Sequence, residues 1–102
     1  MSIINDNEVC IDIWKIIAHY GYTHQKEKAI EELGELQQAL ARDLQGHGDR
    51  ANIAEEIADV VIMLGQMILI YGLHAEVPEI ARQKLQRTLA RIDREQEGEA
   101  RT

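Results

Sequence analysis

The chain has 102 residues and a formal net charge of −7, with 45% hydrophobic residues, no Phe, one Pro and one Cys. That length fits one domain, small enough to gain from oligomerisation, and the acidic balance argues against a general nucleic-acid binder, because phosphate backbones are gripped by clustered Lys and Arg. A core built on Ile, Leu and Ala with few turn residues points to an all-α fold. The lone Cys10 cannot form an internal disulfide and reads as a small buried hydrophobe. No stretch at the start resembles a signal peptide, so the expected location is cytoplasmic. The longest apolar segment, Val60 to Leu73, is interrupted by Gln66 and is too short to span a bilayer, so no membrane partner is expected.

Four helices follow in chain order. Val9, Ile13, Ile16, Ile17 and Tyr20 keep helical spacing and predict a first helix that stops at Gly21. Thr23 is the expected N-cap of the second, which turns Ile30, Leu33, Leu36, Leu40 and Leu44 towards a core. Gln45 to Gly48 form a turn. The third helix begins between Asp49 and Asn52, where Asn52 and Glu55 have capping-box spacing, and runs to about Tyr71 before Gly72. The fourth starts at Pro78 and continues to about Arg94. Residues 1–94 are read as a single helical domain and 95–102 as a polar, fraying tail.

The third helix is apolar on most of its circumference. Ile53, Ile57, Val60, Val61, Leu64 and Ile68 make one stripe, while Ile62, Met63, Leu69 and Ile70 cover much of the rest. A helix apolar on most sides is buried on most sides, and three others in so short a chain can hardly surround it. A second subunit is therefore expected to cover part of it.

Two acidic pairs, Glu32 with Glu35 and Glu56 with Asp59, interrupt this apolar frame. Residues three apart on a helix share a face, so each pair can close on one cation. Glu35 lies about 13 Å before the end of the second helix and Glu56 about 10 Å into the third, which puts the pairs at similar heights in an antiparallel hairpin. Four carboxylates brought together repel one another, and a divalent cation relieves that repulsion. All-oxygen ligands suit Mg²⁺ or Mn²⁺. A di-iron carboxylate bundle normally carries Glu-x-x-His, and none of His19, His24, His47 or His74 has a Glu three positions before it, which disfavours a redox or metal-storage protein. Hard, partly hydrated cations commonly hold substrate phosphates and activate water, so hydrolysis of a phosphate ester or anhydride is the expected reaction class. Lys84, Arg87 and Arg91 form one stripe on the fourth helix that can grip phosphate or simply edge the solvent. Lys28, one turn before Glu32, is a further candidate, with an ion pair to Glu32 as its alternative role.

The run Lys28-Ala29-Ile30-Glu31-Glu32-Leu33-Gly34-Glu35-Leu36, followed after a short hairpin by Glu55-Glu56-Ile57-Ala58-Asp59-Val60, resembles the EExxE and ExxD signature of the MazG-like nucleotide pyrophosphohydrolases. The similarity extends from His24 to Ile92 and is to short, phage-type members of the group. It implies a four-helix MazG-like bundle completed by oligomerisation, as a homodimer or homotetramer. It also implies a nucleoside triphosphate substrate split between its α and β phosphates into monophosphate and pyrophosphate. Glu32, Glu35, Glu56 and Asp59 match the family's Mg²⁺ ligands, with Glu35 also the candidate base. Lys28, Lys84 and Arg87 fall where phosphate-contacting basic residues stand, a looser match. Glu31 and Glu55 are either partners of the ligands or surface charges. Related all-α dUTPases and phosphoribosyl-ATP pyrophosphohydrolases share the scaffold, so base and sugar preference stay open. A non-catalytic nucleotide-binding or helical interaction module on the same scaffold is the alternative function.

The base pocket is weakly marked. Trp14, among Ile11, Ile13 and Ile17, suits a core or subunit interface better than a stacking platform. His24 and Gln25 either contact a base or sugar or face solvent. Tyr20, Tyr22 and His19 carry still less signal, and His47 and His74 read as loop residues.

Overall fold

The computed structural model describes residues 6–101. Residues 1–5, where a leader was sought, and Thr102 of the tail lie outside them. Among the described residues there are four helices and no strand: α1 (Asn7–Tyr20), α2 (Tyr22–Leu44), α3 (Arg50–Tyr71) and α4 (Glu76–Arg101). The chain is all-α, as its composition suggests, and no described helix is long and apolar enough to cross a membrane. It divides into two compact units, one ending at Tyr71 and holding α1 to α3, the other running from Gly72 and holding α4.

In the first unit each helix end has an identifiable cause. The Asp6 carboxylate accepts hydrogen bonds from the amides of Glu8 (2.9 Å) and Val9 (3.2 Å), which satisfies two unpaired donors at the start of α1. α1 ends at Gly21, whose φ of +90° suits a residue without Cβ and whose amide donates to the Ile17 carbonyl at 2.8 Å. This corner lets α2 begin at once at Tyr22, so Thr23 lies inside the helix and is not its cap.

α2 closes in a Schellman arrangement, with the Gly46 amide on the Asp43 carbonyl (3.0 Å) and the His47 amide on the Arg42 carbonyl (2.9 Å). Asp49 then caps α3, accepting from the amides of Ala51 (3.0 Å) and Asn52 (3.3 Å). Asn52 is therefore within the first turn, and the expected Asn52–Glu55 capping box gives way to Asp49. Gly48 is held by close approach: a Cβ there would stand 2.9 Å from the Asp43 Cα, a backbone atom that cannot swing aside.

α2 packs chiefly on α3, with α1 against both. The core consists of Ile13, Ile17, Ala29, Ala39, Val60, Met63 and Ile68. α2 buries Gln25, Ala29, Glu32 and Ala39, the four- and three-residue spacing of a helix–helix seam, with half-buried Leu36 completing the series. The expected core stripe is thus displaced. Ile30 and Leu44 are 72% and 89% exposed, and Leu33 and Leu40 also face outward. Likewise α3 buries Val60, Met63, Gly65, Gln66 and Ile68, whereas Ile57 and Leu64 are exposed. Small side chains at the seam let the two backbones approach, and that leaves the larger aliphatics on the neighbouring face. Cys10 is half-buried rather than buried.

In the second unit α4 starts two residues before Pro78, since the Val77 amide already donates to the Leu73 carbonyl at 3.0 Å. It also continues past Arg94 to Arg101, through residues rich in the strong helix formers Glu, Gln, Arg and Ala. Glu79 accepts from Arg82 Nη2 (2.6 Å), Arg82 Nε (3.1 Å) and Gln83 (3.2 Å). These pairs are exposed, where solvent screens them, so they add little to stability.

Two alanine substitutions separate the roles of glycine. Gly48→Ala should lower stability to urea by about 1–3 kcal/mol through overpacking against Asp43. Gly34→Ala, where an added Cβ meets nothing within 4 Å, should raise it by about 0.5–1 kcal/mol. Equal effects in denaturation would contradict the turn geometry.

Candidate functional site

The α2–α3 seam brings the acidic residues together. Glu32 occupies a seam position and is only 7% exposed, Glu35 and Glu56 are half-buried, and Asp59 is exposed. Glu32, Glu56 and Asp59 each offer a carboxylate oxygen, and these oxygens lie within 4.8 Å of one another; Glu31, Glu32 and Glu35 form a second such group. Opposite ligands of a cation bound at about 2.1–2.4 Å stand roughly 4.2–4.8 Å apart, so either group is of a size to hold a divalent ion. All four expected ligands thus fall in two clusters that share Glu32.

The hydrogen bonding is incomplete. Glu32 Oε1 is paired with Lys28 Nζ at 3.1 Å, and Lys28 also reaches Glu31 at 3.6 Å. Glu32 Oε2 and Glu56 Oε2 are buried with no hydrogen-bond partner among the described residues. A buried carboxylate oxygen without a donor is costly, and more so beside further carboxylates. The repulsion shows in Glu35, whose pKa is raised first by the charge of Glu32, then by desolvation, then by the charge of Glu56. Lys28 shifts the other way in charge preference: its hydrogen bond to Glu32 and the charges of Glu31 and Glu32 raise its pKa and hold it as an ammonium. The ion pair foreseen as an alternative for Lys28 is formed, on a residue that also lines the cleft.

That cleft has a volume of about 460 Å³ and joins Glu31, Glu32, Asp59 and Lys28 to Tyr20, His24, Gln25, Ile62, Met63 and Gln66. Tyr20 and His24 stack with ring centroids 4.9 Å apart and planes 14° from parallel, while His19 meets Tyr20 edge-on. Gln25 Nε2 donates to Gln66 Oε1 at 2.7 Å between two buried side chains. Trp14 is exposed on α1 and is not among the lining residues, and Tyr22, His47, His74 and Glu55 are exposed elsewhere. Lys84, Arg87 and Arg91 lie on α4 in the second unit, all exposed.

In the sequence Gln66 looks like an interruption, and Ile62 and Met63 like apolar cover, yet all three line the cleft. A signal was present. Gln25 precedes Glu32 by seven residues and Gln66 follows Asp59 by seven, so each polar pair repeats on one face of its helix. Comparison with known proteins gives no match: no family model fits the chain, and no curated protein or solved structure is significantly similar to it.

The raised pKa of Glu35 fixes a sign. The folded state holds this proton above the ordinary value near 4.5, so without divalent ions the contribution of Glu35 to folding stability is greatest below that value and is lost as pH rises through the raised pKa. Urea denaturation in chelator should show this loss in the wild type and a flatter profile in Glu35→Gln. Identical pH profiles would contradict a repulsion acting on Glu35.

Proposed function

We propose that the protein is a MazG-like, Mg²⁺-dependent nucleoside triphosphate pyrophosphohydrolase that cleaves between the α and β phosphates. The observation that carries this reading is the pair of buried oxygens without a hydrogen-bond partner among the described residues, Glu32 Oε2 and Glu56 Oε2, in clustered carboxylates of which Glu31, Glu32 and Asp59 line an open cleft. Ordinary solvated acids need no such burial. The EExxE and ExxD runs, on consecutive helices of an all-α chain, add the reaction type by resemblance.

In this reading Glu32, Glu35, Glu56 and Asp59 hold the cation, with Mn²⁺ as a substitute for Mg²⁺. Bound there, the ion supplies Lewis-acid polarisation of a phosphate oxygen and a more acidic water. The chain's own groups do the remaining work. Lys28, kept charged by Glu31 and Glu32, faces the phosphates from one wall of the cleft. Glu35 accepts the proton of the attacking water, and Lys84 and Arg87 are carried as phosphate contacts by the resemblance. Substrate charge and metal charge offset each other, which lets an acidic protein bind a polyanion.

The assembly is proposed to be a homodimer or homotetramer. Supporting this, Ile30, Leu33, Leu40 and Leu44 are exposed along α2 with the spacing of a helix–helix seam, and Ile57 and Leu64 are exposed seven residues apart on α3.

The test is a panel of nucleoside triphosphates with Mg²⁺, scored for pyrophosphate against free phosphate. The expected products are monophosphate and pyrophosphate, and Glu56→Ala or Glu32→Gln should lower kcat/KM by about 100-fold or more, as losses around a metal site commonly do. Nucleotides that bind but stay intact would favour the non-catalytic module, and Glu56→Ala cleaving as fast as wild type would end the assignment.

A further inference from the structure

A polar chain crosses the cleft wall and is not used by the carboxylates. His24 Nδ1 lies 2.7 Å from Gln25 Oε1, Gln25 Nε2 donates to Gln66 Oε1 at 2.7 Å, and Gln66 Nε2 donates to Met63 Sδ at 3.6 Å. Gln25 and Gln66 are 3% and 2% exposed, so their amides depend on one another rather than on water.

The direction of this chain is set at its far end. A thioether sulfur accepts but cannot donate, so the contact with Met63 favours the orientation in which Gln66 turns its NH₂ to Met63 and its carbonyl to Gln25. Gln25 then turns its NH₂ to Gln66 and its carbonyl to His24. The only partner that satisfies that carbonyl is a protonated Nδ1, which leaves the neutral imidazole with a lone pair on Nε2. Tyr20, stacked on one face of the ring, fixes its plane.

An aromatic stack with one acceptor nitrogen, in a cleft that Ile62 and Met63 also line, is matched to a planar heterocycle that carries a donor. It is mismatched to phosphate, whose oxygens are acceptors too. Resting on the reading of the acidic end as the polyphosphate site, we propose that the Tyr20–His24 stack seats the nucleoside and that His24 Nε2 accepts a hydrogen bond from it. Gln25, Gln66 and Met63 are positioning residues that set the tautomer. The donor is an N–H of the base or a hydroxyl of the sugar, the same chemistry from two parts of one molecule.

The test uses the full chain with Mg²⁺ and a nucleoside triphosphate analogue whose α and β phosphates are joined by carbon, so that binding is read without turnover. Nitrogen NMR of His24 should show the Nδ1-protonated tautomer in the free protein and a shift at Nε2 on adding the analogue. His24→Asn keeps a donor near Nδ1 but loses the acceptor, and should weaken analogue binding about tenfold, the worth of one hydrogen bond. His24→Gln, with an oxygen near the Nε2 position, should recover part of the loss, and inorganic triphosphate should bind all three proteins alike. Deoxy and dideoxy analogues, set against analogues methylated on the base N–H, assign the donor to sugar or base according to which abolishes the His24 effect.

An Nε2-protonated tautomer in the free protein, or His24→Asn binding the analogue as tightly as wild type, overturns the proposal. If the analogue engages His24 yet no nucleoside triphosphate releases pyrophosphate, the nucleoside seat stands and the hydrolase reading fails.

Discussion

Two carboxylate oxygens shut between helices are the constraint on which the first unit turns. Glu32 and Glu56 each bury one oxygen without a donor, close to Asp59 and Glu35, in a protein that already carries excess negative charge. Lys28 neutralises only the other oxygen of Glu32. Such an arrangement is unfavourable for folding by itself, since a carboxylate far from donors and near its own kind prefers to be solvated or protonated. In the proposed reading a cation supplies the missing partner, and metal affinity would then contribute to fold stability.

Much of the surrounding architecture serves to bring those oxygens together. Ala29, one turn before Glu32 on the seam, and Ala39, two turns after it, are small and buried where α2 packs on α3. The Schellman turn, the close approach at Gly48 and the Asp49 cap fix the register of the hairpin, and a slip of one residue would carry Glu56 off the shared face. The seven-residue repeat that places Glu32 also places Gln25, and the one that places Asp59 also places Gln66. One register therefore builds both the acidic cluster and the amide pair, which is why the cleft is charged and polar where a helix pair of this size would ordinarily be packed with aliphatics.

The number and order of the helices, the stops at Gly21 and Gly72 and the acidic pairs are all legible in the sequence, because each rests on a local rule of spacing or backbone freedom. The inward face of α2 is not. Its large aliphatics and its small seam residues form adjacent stripes, and residue size alone does not say which stripe meets the chain's own partner helix. For the same reason Ile57 and Leu64 read as core and face outward. Thr23 is displaced as a cap by the Gly21 corner, and Asn52 by Asp49, since neighbouring residues compete for one capping position. Gln66 looks like a break in an apolar run until its partner Gln25 is brought across from α2, a contact separated by 41 positions.

Thermal unfolding as a function of Mg²⁺ at neutral pH tests most directly whether the buried acidic oxygens are cation ligands. Wild type should gain stability with added Mg²⁺, by about 2.7 kcal/mol once the ion reaches 100 times its Kd. Glu32→Gln, which removes the ligand common to both clusters, should start from an equal or higher midpoint and gain little. A wild type whose midpoint ignores Mg²⁺ and Mn²⁺, or a Glu32→Gln variant stabilised as strongly as wild type, would contradict that role.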